Sequence, residues 1–238
     1  MMNIGRLKQM LAAGVTCVAL GSAGMGTASC IIALDADATQ CNTDVDCTSR
    51  GPEFALTTCT AEHVCRTNAE CLVNADCLTK RGDKFVCKKD TRVCVNLTST
   101  ECPNIKGVMQ NGTEAYKSDD AVIIGSVLPL TGANGPFGIA DQFAIELGIQ
   151  DFNQSYGGLN PKPGTQNRRP LAVVQCDDTG AQKVGALAMN HLADVGIPAV
   201  IGAQQSDVTL TLASEVAIPK GMMLITPGAT APNITNLV

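Results

Sequence analysis

Residues 121 to 235 alternate short apolar runs with helical patterns, and this alternation restricts the fold more than any other feature of the chain. Val122 to Leu128 is a continuous β-rich run, the mark of a strand buried on both faces. Phe137 to Phe152 predicts a helix whose apolar stripe is Ala140, Phe143, Ala144 and Leu147, ended by Gly157-Gly158. Leu171 to Gln175 predicts a second strand. Ala181 to Val195 predicts a second helix, with Val184, Leu187, Ala188, Leu192 and Val195 on one stripe and Gly196 as its stop. Ala199 to Ile201 is a short third strand, Ser206 to Ala217 a third helix stopped by Pro219, and Met222 to Ile225 a fourth strand. Successive β-α-β units imply right-handed crossovers and one open parallel sheet, an α/β fold of Rossmann-like character.

Composition narrows the function. A net charge of −5 is modest and dispersed, with no basic face for nucleic acid. Aromatics make up 3% and Trp is absent, which disfavours a sugar pocket or a base-stacking platform.

The N-terminus is a targeting segment, residues 1–29. Arg6 and Lys8 form a positive start, and Leu11 to Leu20 is an apolar run too short to span a bilayer. Thr27-Ala28-Ser29-Cys30 follows. One reading is simple cleavage near residue 29. The other is a resemblance to bacterial lipoprotein sites, which implies that Cys30 becomes a lipidated N-terminus and anchors the chain to a membrane. Thr27 stands where Leu is usual. Both readings place the protein in the cell envelope, in the periplasm or on the outer surface.

Cysteine usage agrees with export. The chain has 12 cysteines, nine of them between Cys41 and Cys102. Residues 30–40 read as a tether and 41–102 as a disulfide module with an internal repeat. Cys41-Asn-Thr-Asp-Val-Asp-Cys47 matches Cys71-Leu-Val-Asn-Ala-Asp-Cys77, and the second pairs are Cys59/Cys65 and Cys87/Cys94. Each unit could close two disulfides, and the spacing does not choose among connectivities. Such a small unit depends on disulfides, each contributing on the order of 2–4 kcal/mol. Cys102 either opens a degenerate third unit or pairs with Cys176. Residues 103–119 read as a polar linker, and 120–238 as the α/β lobe.

In an open parallel sheet, ligands sit where strands end and helices begin. Four loops occupy that edge: Pro129 to Phe137, Asp177 to Gly180, Gly202 to Ser206, and Thr226 to Thr230. Glycines let backbone amides approach a ligand, Ser206 lies at a helix start, and Thr230 adds a hydroxyl, a chemistry suited to a small zwitterion or carboxylate. Ser206 reads equally as a plain N-cap.

Other candidates are weaker. Cys176-Asp177-Asp178 reads as a strand end with a capping carboxylate rather than a metal site or nucleophile. His63 and His191 are far apart, and His191 reads as a rim residue. No Ser-His-Asp order, Cys-His pair, zinc spacing or Walker A loop is convincing, so an enzyme, a metal site and a cofactor are not expected. Asp44, Asp46, Asn74 and Asp76 recur in register and read as turn formers before Ca²⁺ ligands.

The stretch resembles the branched-chain amino-acid (Leu/Ile/Val) binding family of ABC-transporter solute receptors, a type I periplasmic binding fold. The residues carrying the resemblance are Ile124 to Gly132, Cys176-Asp177-Asp178, Ala199 to Gly202 and Leu224 to Pro232. It implies that Ser206, Gly228, Ala229 and Thr230 hold the carboxylate and amino group of an amino acid, with Phe137 as the aromatic that covers it. Gly228 replaces an Ala, a change expected to leave backbone contacts intact. The implied partners are an amino acid or related small carboxylate and an ABC permease. A receptor of this family has a second lobe that closes on the ligand, so this chain is expected to be a fragment with one lobe. The rival expectation is a surface interaction or ligand-sensing lipoprotein whose Cys-rich repeats bind a partner.

Overall fold

The computed structural model describes residues 39–51, 54, 57–67 and 69–236. The expected leader, the lipidation site at Cys30 and most of the tether lie outside the described residues. Among the described residues, no helix is long and apolar enough to cross a membrane. The chain divides into two compact units, one up to Asn68 and one from Ala69 onward.

The first unit is a single disulfide-rich repeat. A short helix α1 (Asp44–Thr48) precedes the antiparallel hairpin of β1 (Thr57–Cys59) and β2 (Cys65–Thr67). Disulfides join Cys41 to Cys59 and Cys47 to Cys65. Asp46 Oδ2 accepts from the amides of Asn42 and Thr43, both at 2.8 Å, closing the start of α1. Asp44 Oδ1 accepts from the Cys59 amide at 2.8 Å and ties the helix to the hairpin.

The second unit begins with a copy of that plan: α2 (Asn74–Arg81), then β3 (Phe85–Lys88) and β4 (Val93–Asn96). Cys71 pairs with Cys87 and Cys77 with Cys94. Both repeats therefore join their first cysteine to the third and the second to the fourth. Asp76 caps α2 as Asp46 caps α1. Asn74 stands where the first repeat has Asp44. Its Oδ1 accepts from the Cys87 amide at 3.0 Å, and its Nδ2 donates to the carbonyls of Tyr116 and Ser118 at 3.2 and 3.0 Å. A carboxylate has no such donor. Val86 and Leu97 of this repeat enter the same apolar core as Tyr116, Val127 and Leu192. The repeats expected as one module over 41–102 thus fall into different units, because the second shares its core with the α/β layers.

The expected linker over 103–119 is also structured. Its strand β5 (Asn104–Lys106) adds to the sheet, and Ala115 and Tyr116 are buried at 0% and 3% exposure. The anchor is a disulfide from Cys102 to Cys176, both fully buried. It fixes the register in which Asn104 faces Gln175 and Ile105 faces Val174.

The remaining elements are β6 (Val122–Leu128), α3 (Gly135–Ser155), β7 (Leu171–Asp177), α4 (Gln182–Asp194), β8 (Ala199–Gly202), α5 (Ser206–Leu212), one π turn (Ala213–Ala217), α6 (Ile218–Lys220) and β9 (Met223–Ile225). The sheet order is β5-β7-β6-β8-β9. β7, β6, β8 and β9 are parallel, as the sequence predicts, while β5 makes the β7 edge antiparallel. On one face, Gly125 admits the Leu192 side chain of α4, which would lie 2.5 Å from a Cβ there.

The helices form where expected, but α3 turns a different face inward. The stripe of α3 points outward: Phe143 and Leu147 are 64% and 67% exposed. The buried face is Gly138, Gln142, Ile149 and Asn153. Polar bonds to the strands set this rotation. Ser126 donates to Gln142 at 2.6 Å, and Asn153 exchanges two 2.8 Å bonds with the backbone of Leu171. In α4, Ala188 and Leu192 of the expected stripe are buried and Val195 packs against the core; Gly185 and Met189 join them, and of the stripe Leu187 faces out. His191 bonds the Leu97 carbonyl at 3.0 Å.

Candidate functional site

The four loops that follow β6, β7, β8 and β9 lie at one edge of the sheet, and hydrogen bonds link them in pairs. Asp177, at the end of β7, holds the first loop to the second. Its Oδ1 accepts from the amides of Leu130 and Thr179, both at 2.8 Å, and of Thr131 at 3.3 Å, while its Oδ2 accepts from the Thr131 hydroxyl at 2.6 Å. The carboxylate is thereby used by the loop backbone, whereas α4 is capped at Ala181 without a side-chain bond.

Asp178 points the other way and is fully buried. Its Oδ1 accepts from the Gly180 amide at 2.7 Å, and its Oδ2 has no protein partner. Burial pushes its carboxyl up to about 6. The Gly180 amide opposes that shift, and the charges of Asp177 and Asp207 reinforce it.

The third and fourth loops are joined through Ser206 and Thr226. Ser206 is the first residue of α5, with Gln205 at the cap position. Its Oγ accepts from the amides of Thr230 and Ala231, both at 3.1 Å. Ser206 is therefore a bridge between loops rather than the plain N-cap that its position suggested. The hydroxyl proton remains available to donate. Thr226 donates to the Ala203 carbonyl at 2.7 Å and accepts from the Ala229 amide at 2.9 Å.

The structure brings together Ser206, Gly228, Ala229 and Thr230 of the predicted set. Phe137 lies in the first turn of α3, 63% exposed. Two residues the sequence reading passed over belong to the same edge. Gln204 Oε1 and both amide atoms of Gln205 are buried without a protein partner. The Gln204 amide also fills the space in front of Gly228, where a Cβ would come within 2.6 Å of it. Their signal was present in the Gln-Gln pair directly before Ser206, yet a primary amide in a loop has no distinctive pattern.

No family profile matches the chain. Leu/Ile/Val-binding protein homolog 1 of Brucella abortus is 34% identical over 114 residues, which is 48% of this chain and 28% of the relative. Leu/Ile/Val-binding protein BraC3 of Rhizobium johnstonii is 30% identical over 114 residues, 48% of this chain and 29% of the relative. Among solved structures, the branched-chain amino acid transporter substrate-binding protein LivJ of Streptococcus pneumoniae, in complex with isoleucine, overlaps with a TM-score of 0.44 at 24% identity, over 49% of this chain and 31% of that one. The leucine binding protein LivK of Thermotoga maritima gives 0.39 at 25% identity, over 48% and 30%. The chain spans less than a third of the length of the curated relatives it matches. About half of this chain is thus related in sequence to Leu/Ile/Val-binding proteins.

Proposed function

We propose that the chain is part of the extracytoplasmic solute-binding component of an ABC-type amino-acid uptake system, with an ABC permease as its partner. It is a receptor rather than an enzyme. The loops after β8 and β9 form one wall of the site. The single observation that carries this is the bridge from Ser206 Oγ to the Thr230 and Ala231 amides. It sets a hydroxyl donor beside a turn of backbone, an arrangement suited to the carboxylate and ammonium of a free amino acid. In the whole protein, a second lobe supplies the opposing wall and much of the side-chain selectivity. Five disulfides fit an oxidising compartment, and the leader with Cys30 fits anchoring to the envelope membrane by lipid.

The test is amide chemical-shift mapping on this chain with leucine, isoleucine, valine and small carboxylates. Shifts centred on Ser206, Ala229 and Thr230 that disappear in Ser206→Ala support the reading. A folded two-lobed protein containing this chain that gives no calorimetric heat with any amino acid or small carboxylate refutes it.

One observation favours a second reading, a surface protein whose Cys-rich repeats bind a partner. The first repeat forms a unit of its own, so it is free to serve another purpose. Partner capture that survives deletion of residues 41–67 would dismiss that reading.

A further inference from the structure

The second unit contains a cavity of about 490 Å³ near the start of β6, at the opposite end of the sheet from the loops above. Six strand steps separate the two places, roughly 20 Å. Its walls are the turn from Val86 to Asp90, the segment from Ser118 to Ile123, and the loop from Val195 to Pro198, with Lys162 and Arg169 at the mouth. The floor is apolar: Val86, Leu97 and Ile197 line it and are at most 6% exposed. The volume falls within the range of small-molecule sites, about 300–1,000 Å³.

The charges at the mouth are unevenly matched. Lys88 donates to the Asp194 carbonyl at 2.9 Å, with Asp90 4.0 Å away. Arg169 Nε donates to the Asn160 carbonyl at 2.9 Å. Asp119 Oδ1 accepts from the Asn74 amide at 2.6 Å. Lys162 pairs with Asp120 at 3.6 Å. Among the described residues, Lys89 donates to the Asp119 carbonyl. Lys162 lines the same cavity. Burial, and then Lys162, make Lys89 hold its proton less tightly than a free lysine, against the pull of Asp119 and Asp120. Two lysines lining one largely apolar cavity give an anion a place to bind.

We propose that this cavity is a second binding site, for a small amphiphilic carboxylate whose head lies between Lys89 and Lys162 and whose apolar tail rests on Val86, Leu97 and Ile197. A tail is required because a bare anion would leave the floor wet. A single negative charge is favoured because Asp119 and Asp120 repel a dianion. A neutral amphiphile offers the two lysines no counter-charge.

The experiment titrates octanoate into the full chain by calorimetry and maps it by amide chemical shifts, with octan-1-ol and inorganic phosphate as comparison probes. The expected result is saturable binding of one octanoate, with shifts at Val86, Leu97 and Ile197 and none at Ser206 or Thr230. Lys89→Gln/Lys162→Gln weakens it at least tenfold, and Lys89→Arg/Lys162→Arg keeps it. Octan-1-ol and phosphate each bind at least tenfold more weakly than octanoate. The single Lys89→Gln and Lys162→Gln variants give the same readout at lower cost to folding. The proposal is overturned if octanoate does not saturate, if either comparison probe binds as tightly, if the glutamine variants bind unchanged, or if the shifts centre on Ser206.

Discussion

The amide of Gln204 occupies the space that a Cβ on Gly228 would claim, within 2.6 Å of it. The resemblance to amino-acid receptors suggested that Gly228 in place of Ala would leave backbone contacts intact. The structure adds a side-chain link between the two positions: the missing methyl makes room for a buried amide whose oxygen has no protein partner. Gly228→Ala should therefore expel the Gln204 side chain. The cost is about 1 kcal/mol, since a long side chain can swing away. Gln204→Ala combined with Gly228→Ala should recover most of it. Thermal unfolding of both single variants and the double gives the coupling, and strict additivity would refute the steric link.

Asn74 predicts a larger effect. It is 5% exposed, and its side chain makes three hydrogen bonds, two of them as donor to Tyr116 and Ser118. Asn74→Asp loses both donors and sets a carboxylate against two carbonyls, near Asp119, whose Oδ1 accepts from the Asn74 amide. A loss of about 2–4 kcal/mol is expected in urea unfolding. The equivalent residue of the first repeat, Asp44, is exposed, and among the described residues its carboxylate accepts from the Cys59 amide alone. Asp44→Asn should change stability by less than about 0.5 kcal/mol. Equal effects at the two positions would show that docking of the second repeat does not depend on Asn74.

These two cases show how far the sequence could be read. The β-α-β order was legible because apolar runs such as Val122 to Leu128 and the glycine stops after the first two helices are local signals, whereas the third helical run passes Pro219, its expected stop, and ends at Gly221. The orientation of α3 was not. Its apolar stripe suggested burial of Phe143 and Leu147, yet Ser126, Leu171 and Gln175 bond the other face through Gln142, Asn153 and Glu146. Those partners are distant in sequence, and no periodicity records them. The same holds for Cys102 with Cys176, for the capture of residues 103–119 by the sheet, and for the different positions of two repeats that look alike. At the candidate site, Ser206 and Thr230 were expected from their loop positions and from motif resemblance, while the burial of Gln204 and Gln205 without protein partners is visible only in the structure.

Asp178 should give the unit a pH dependence opposite to that of most carboxylates. Burial raises its value from the ordinary 3.8 to about 6. The folded state thus binds this proton more tightly than the unfolded one. Stability from this group is fully present below about pH 4 and is lost as pH rises through 6. Asp46, Glu70 and Asp76 shift the other way, each held down by backbone amides, and contribute stability that is lost as pH falls. Asp178→Asn keeps an oxygen for the Gly180 amide and removes the titration. At pH 7 it should be more stable than the parent by on the order of 2 kcal/mol, allowing for solvent screening. The difference should vanish near pH 4. Urea unfolding across pH 4 to 7 tests this, and a gap that is constant with pH would exclude Asp178 as its source.

The Cys102–Cys176 disulfide should be the most consequential crosslink in the second unit. It spans 74 residues and joins the entry to β5 with the end of β7, whereas the bonds within the repeats span 16 and 17. Loop-closure entropy then assigns it about 4 kcal/mol, against about 3 kcal/mol for each short bond. Both sulfurs are buried with Ala188 and Val174 in the core, so a cavity cost adds to the entropic one when the pair is replaced. Cys102→Ala/Cys176→Ala should lower the unfolding midpoint more than Cys71→Ala/Cys87→Ala. It should also release the amides of Asn104 to Lys106 to hydrogen exchange, because β5 keeps its place at the sheet edge through that bond and one short ladder. Retained protection of β5 in the double variant would mean that strand pairing alone holds the segment.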